Sequence, residues 1–272
     1  MRKAARGWWW TGIVATVAVA AGCGPSDSAS SDETASTTAP AVSTPAPTDP
    51  WSSEREVPVV RKSRSGGFSP YFGPPDVSIY EDGTVIVAAE EVGGIAPFTL
   101  SQLSPAGLDA VLSAAEDAGL TGPDLLLDDL PTPDLVMTTI VVRRDGESYT
   151  TTIGLGRDAR HEAVREFLLA LHDLEGLAGA GNMETVATME APRIEVTANK
   201  YAGPNRASVL AKAIPWKGLP LDSLECAELD GDDADAVRAA VRAAPAATWW
   251  IDDGTAYRVR VLPLLPDESA CD

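Results

Sequence analysis

The side chains that could do chemistry are few, and their spacing is poor for it. The chain has two histidines, His161 and His172. Eleven residues apart on one predicted helix, they share a face but lie about 16 Å apart along its axis, so they cannot ligate one metal together. Solvated helix histidines are what this spacing predicts. Of the three cysteines, Cys23, Cys226 and Cys271, at most two are free, too few to complete a zinc site. Adjacent acids stand at Glu90-Glu91, Asp128-Asp129 and Asp232-Asp233. Glycoside hydrolysis needs two carboxylates facing across a cleft, yet with 40 acidic residues adjacent pairs are commonplace. The run from Leu229 to Asp235 has the acidity of a calcium loop without its spacing or its closing glutamate, and aspartates at a helix start explain it better. No G-x-S-x-G elbow is present, and Gly66-Gly67 and Gly93-Gly94 lack the flanking pattern of a phosphate loop. The expectation is a protein that is not an enzyme, with no cofactor and no metal.

Binding surfaces are easier to nominate. Arg61-Lys62-Ser63-Arg64 is the one basic cluster, read as a solvated edge, with contact to an anionic wall polymer as the alternative. Phe68, Tyr71 and Phe72, interleaved with Pro70, Pro74 and Pro75, could line a groove, although packing in the core is the plainer reading. In a strand, Trp249 and Trp250 must point to opposite faces, which puts one in the core and leaves the other for a partner or a second lobe. These five aromatic residues are the candidate ligand or partner surface.

The elements that must position them are marked by turn chemistry. Three Asp-Gly pairs, Asp82-Gly83, Asp145-Gly146 and Asp253-Gly254, each sit between strand-like runs and predict hairpins. Ser104-Pro105 opens a helix whose stripe is Leu108, Val111, Leu112 and Ala115 and which Gly119 closes. A second helix is predicted from about Ala159 to Leu174 and a third from Asp233 to Ala244, stopped by Pro245. The stretch from Gly176 to Glu190 is small and polar, a seam between lobes. The fold class is therefore α+β: antiparallel β-hairpins packed with about three helices, in one or two small lobes. Residues 57–180 would form the first lobe and residues 181–272 the second.

The N-terminal region fixes the expected address. Arg2, Lys3 and Arg6 precede a fourteen-residue, largely apolar run from Trp8 to Ala21, the layout of a secretory signal and too short to span a bilayer as a helix. Ala20-Ala21-Gly22-Cys23 resembles the bacterial lipobox, with Ala20 where leucine is usual. The reading is a signal peptide over 1–22, lipidation of Cys23, and a protein held at the outer face of the cytoplasmic membrane. Residues 23–56 are rich in Ser, Thr, Pro and Ala and read as a disordered linker. From Gly24 to Glu56 such a coil would span on the order of 30 Å. In the oxidising compartment this implies, Cys226 and Cys271 pair as a disulfide.

Charge excludes one class of partner. Removing the three basic residues of the signal leaves 18 basic against 40 acidic side chains, a net charge of −22. A surface that negative repels nucleic acid. Scarce lysine and abundant alanine, aspartate, arginine and proline fit a GC-rich genome.

The run from Val77 to Val85, the run from Leu103 to Leu108, and the run from Tyr257 to Glu268 with Cys271 resemble a family of uncharacterised actinobacterial surface lipoproteins. The resemblance covers most of residues 65–272 and carries location and structural motifs, with no assigned activity. The leading expectation is a membrane-tethered extracytoplasmic lipoprotein, a non-enzymatic interaction or ligand-binding module whose partner is an envelope protein or a wall polymer. The alternatives are a carboxylate-based cell-wall hydrolase and a solute-binding receptor of a transporter. A deep cleft between residues 57–178 and 190–272 would favour the receptor.

Overall fold

All three Asp-Gly pairs turn hairpins, by two different geometries. Asp145 and Asp253 adopt positive φ, 54° and 43°, each followed by a glycine at positive φ, as a two-residue primed turn requires. At the first hairpin Gly83 alone is left-handed, at φ 82°. There the Gly83 N–H donates to the Tyr80 carbonyl at 2.9 Å, and the Tyr80 N–H donates to Thr84 at 2.9 Å, a three-residue loop with a glycine bulge. A Cβ on Gly83 would lie 2.5 Å from the Leu103 carbonyl oxygen, so space as well as φ demands glycine.

The computed structural model describes residues 49–52, 57–66, 73–90, 95–127, 136–154, 159–245 and 248–271. Cys23, Phe68, Tyr71, Phe72, Glu91, Asp128 and Asp129 lie outside the described residues. Ala46–Asp272 forms one compact unit.

In chain order the strands and helices begin with β1 (Val60–Gly66), β2 (Val77–Ile79), β3 (Thr84–Ala88), β4 (Phe98–Leu103) and α1 (Pro105–Asp117). Next come β5 (Leu125–Leu127), β6 (Val136–Arg144), β7 (Glu147–Ile153), α2 (Ala159–Ala170), α3 (Leu174–Ala178) and β8 (Met183–Met189). Then follow β9 (Ile194–Lys200), α4 (Arg206–Leu210), β10 (Ile214–Pro215), β11 (Ala227–Leu229), α5 (Gly231–Ala243), β12 (Trp250–Asp252) and β13 (Thr255–Pro263). The fold is α+β. Its first sheet has the order β5-β7-β6-β1-β2-β3-β4-β8 and its second β10-β12-β13-β9-β11. Pairing is antiparallel except between β5 and β7 and between β10 and β12.

Helices α1, α2 and α3 cover one face of the first sheet, where Val60, Val77, Ile79 and Val85 pack with Val111, Val164, Phe167 and Leu171. Ser104 caps α1 by accepting from the Gly107 N–H at 3.1 Å and donates in turn to Asn182 at 2.8 Å. Side chains alternate across a strand. Tyr80, Ile86, Phe98 and Leu100 therefore face the other way and form a smaller cluster with Trp51, Ala191 and Leu265. The second sheet packs Ile194, Val196, Tyr257 and Val261 against Ala234 and Val237 of α5.

Three expectations change. The stretch from Gly176 to Glu190 is not a seam: it completes α3 and supplies β8, which pairs with β4 beyond residue 180. The second expected helix divides into α2 and α3, because Asp173 caps a new helix by accepting from the Gly176 N–H at 3.1 Å. The linker expected over 23–56 is docked on the fold at its described residues, 49–52. Trp51 is only 8% exposed, its ring 5.6 Å from Phe98, since one indole buries enough apolar area to dock a segment that otherwise has none to offer.

Candidate functional site

A cleft of about 1670 Å3 is lined by residues of both sheets. From the first come Lys62 and Arg64 of β1, Asp76, Val87, Thr99 and Ser101, bordered by Leu171, His172 and Leu174 at the corner between α2 and α3. From the second come Arg258 to Pro263 of β13, with Asn199, Trp250 and the end of α5 at Val241 and Ala244. Its walls thus draw on residues 62–185 of the first sheet and its helices and on residues 199–263 of the second sheet and α5.

The basic cluster on β1 is not a solvated edge. It lies on a central strand, and alternation splits it between the two faces. Lys62 follows Val60 onto the helix-covered face and is 5% exposed. Its ammonium lies 3.3 Å from the Asp76 carboxylate and donates to His172 Nε2 at 3.2 Å. Lysine has no acceptor, so in this contact the ammonium donates and the ring nitrogen accepts. Arg64 meets the same Asp76 at 2.9 Å. Two cations therefore share one carboxylate at the cleft wall. Arg61 faces the opposite way and pairs with Asp267.

The histidines also depart from expectation. His161 is 1% exposed, a core residue of α2 rather than a solvated one. His172 is exposed and lies past the end of α2, so it borders the cleft with a geometry that helical spacing did not foresee.

The tryptophans divide as alternation requires. Trp250 is buried, edge-on to Trp216 at 4.9 Å, and touches the cleft. Trp249 is half-buried, edge-on to Tyr201 at 5.0 Å, with the Arg258 guanidinium 5.9 Å from its ring centre. Arg258 and Arg260 were not singled out in the sequence. Their signal is an Arg-x-Arg repeat alternating with Val259 and Val261, on the face opposite Tyr257, Val259 and Val261. Burial pushes the Arg260 guanidinium below its ordinary pKa, opposed by Glu195.

The wall strand β13 runs directly into a turn, Leu264 to Glu268, that ties the sheets together. Asp267 accepts from Arg61 of β1 with both oxygens at 2.7 Å, and from the Tyr80 hydroxyl at 2.7 Å. Arg193, just before β9, donates to the carbonyls of Leu265, Pro266 and Glu268 at 2.9, 2.9 and 3.1 Å. Burial, then the Asp267 carboxylate, raises the Tyr80 phenol well above its ordinary value. Burial also raises Glu268, against the lowering influence of the Leu265 N–H and Arg61. Cys226 and Cys271 form a disulfide, closing the chain just beyond this turn.

No family model matches the chain, and no curated protein does. Among the described residues, no group of three or more His, Cys, Asp or Glu could hold a metal ion. No described helix is long and apolar enough to cross a membrane. Asp232 and Asp233 lie exposed in the first turn of α5 and do not line the cleft, whereas Glu90 does.

Proposed function

We propose that this chain is a lipid-anchored module of the outer face of the cytoplasmic membrane, akin to actinobacterial surface lipoproteins, that binds a ligand between its two sheets. The observation that carries the reading is the cleft of about 1670 Å3 walled by both sheets. Sites for drug-sized molecules are typically about 300–1,000 Å3. This cleft suits something longer than one sugar or amino acid, such as a peptide or a wall-polymer segment. The address rests on Ala20-Ala21-Gly22-Cys23. Three fatty chains on such a cysteine hold a protein stably, where one would not. The same cleft favours a second reading, a receptor passing its ligand to a transporter.

Two experiments test this. Cys23→Ala should release the chain to the medium still folded; continued acylation and membrane retention would overturn the anchor. Protein extracted from its own membranes should carry small molecules or polymer fragments detectable by native mass spectrometry. Thr99→Trp, which fills the cleft wall, should lose them. An identical complement on both proteins would remove the cleft as the site, and release of soluble glycan from purified wall would turn the reading to a hydrolase.

A further inference from the structure

We infer that the cleft selects an anionic ligand. This rests on the ligand-binding reading above and adds the sign of the ligand's charge. The whole chain carries −19, yet four cations, Lys62, Arg64, Arg258 and Arg260, line the cleft against two described carboxylates, Asp76 and Glu90. Four less two leaves +2, or +1 once Glu195 beside Arg260 is counted. In a chain with 40 acidic residues, a local excess of positive charge runs against composition, and the low-dielectric walls of a cleft focus it.

The two walls contribute differently. On β1, Lys62 and Arg64 are held by Asp76 at 3.3 and 2.9 Å, so their positions are set before any ligand arrives. On β13, Arg258 is exposed, has no carboxylate partner among the described residues, and rests beside the Trp249 ring. That contact fixes the guanidinium while leaving its N–H donors for an acceptor. Two residues on, Arg260 projects from the same face and is partly stripped of water. A fork of donors on one wall and a fixed cationic pair on the other suit a carboxylate, sulfonate or phosphate group.

Two dyes sharing one aromatic body test the inference on the full chain carrying Cys23→Ala. Anilinonaphthalene sulfonate is anionic, and phenylnaphthylamine is its neutral counterpart. The anionic dye should bind about tenfold more tightly, the scale of one charge-assisted contact. The preference should disappear in about 1 M salt, where the screening length is roughly 3 Å. Arg258→Glu should abolish it. Arg165→Glu, the same charge change on the exposed face of α2, should leave it intact. Equal binding of both dyes, or equal loss in the two variants, overturns the anionic inference while the cleft remains a binding site. Binding of neither dye overturns the cleft reading itself. Near-ultraviolet circular dichroism of each variant shows that its fold is retained.

Discussion

The guanidinium of Arg61 grips both carboxylate oxygens of Asp267 at 2.7 Å across 206 residues of chain. One partner lies on a central strand of the first sheet and the other follows the last strand of the second. The Asp267 side chain is 5% exposed, so its charge depends on Arg61 and on the Tyr80 hydroxyl. Breaking such a pair leaves an uncompensated buried charge, while replacing both members by apolar side chains need not. Arg61→Met should therefore cost about 3 kcal/mol in urea unfolding, and Arg61→Met with Asp267→Leu distinctly less. A double variant at the sum of the two single losses would show that the residues act independently.

The acid side of the same turn gives a pH prediction. Glu268 is raised above its ordinary value of 4.5, first by burial. The folded state then holds the proton at a pH where the unfolded chain has released it, so this group favours folding in acid and disfavours it as pH rises. Glu268→Gln keeps an acceptor for the Leu265 N–H without the buried charge. Its stability should exceed that of the parent near neutrality, and the advantage should vanish as pH falls below 4.5. Urea midpoints across that range decide it, and a gap that widens toward acid would contradict the assignment.

Tyr80 supplies the alkaline counterpart. Its phenol keeps its proton in the folded state to higher pH than in the unfolded chain, so its contribution is complete below the ordinary value of 10.0 and is lost above it. Tyr80→Phe should flatten the alkaline fall in melting temperature while lowering stability near neutrality by about 2 kcal/mol, the worth of a hydrogen bond to a charged acceptor.

Trp51 docks the first described segment, residues 49–52, onto the fold. It packs on Phe98, and its indole N–H lies 3.2 Å from the Met189 sulfur. Trp51→Ala should cost about 3 kcal/mol, measured by chemical unfolding. A loss within experimental scatter would return this segment to the linker.

The disulfide spans 45 residues. Chain entropy sets its worth at up to about 4 kcal/mol. Replacing both Cys226 and Cys271 with serine should lower stability by no more than this and raise amide exchange first in residues 264–271.

Much of the scaffold was legible in the sequence. The Asp-Gly hairpins, the Ser104-Pro105 helix start and the pairing of Cys226 with Cys271 each follow from local chemistry or from counting. What was hidden depended on distant partners. Strand β8 is an edge strand, exposed from Glu184 to Met189, so it carries no alternation of burial to read. Arg61, Lys62 and Arg64 look like a solvated run until alternation sends them to different faces and to Asp267 or Asp76. The cleft is legible only once β1 and β13 stand on opposite walls, because neither strand has a motif. Trp51 was overlooked because one aromatic in a polar run leaves window-averaged composition almost unchanged.

The turn after β13 has a consequence for how a ligand would come and go. Arg61 and Tyr80 hold Asp267 from one sheet, and Arg193 holds the same turn from the other. The wall bearing Arg258 and Arg260 is thus riveted to its opposite number within a few residues. A jaw that closes over its catch would have to tear out these rivets at every cycle. On the ligand-binding reading the cleft should instead act as a fixed rack: an occupant would slide in and out at a rate set by diffusion and affinity, and the outline of the molecule in solution scattering should be the same loaded or empty.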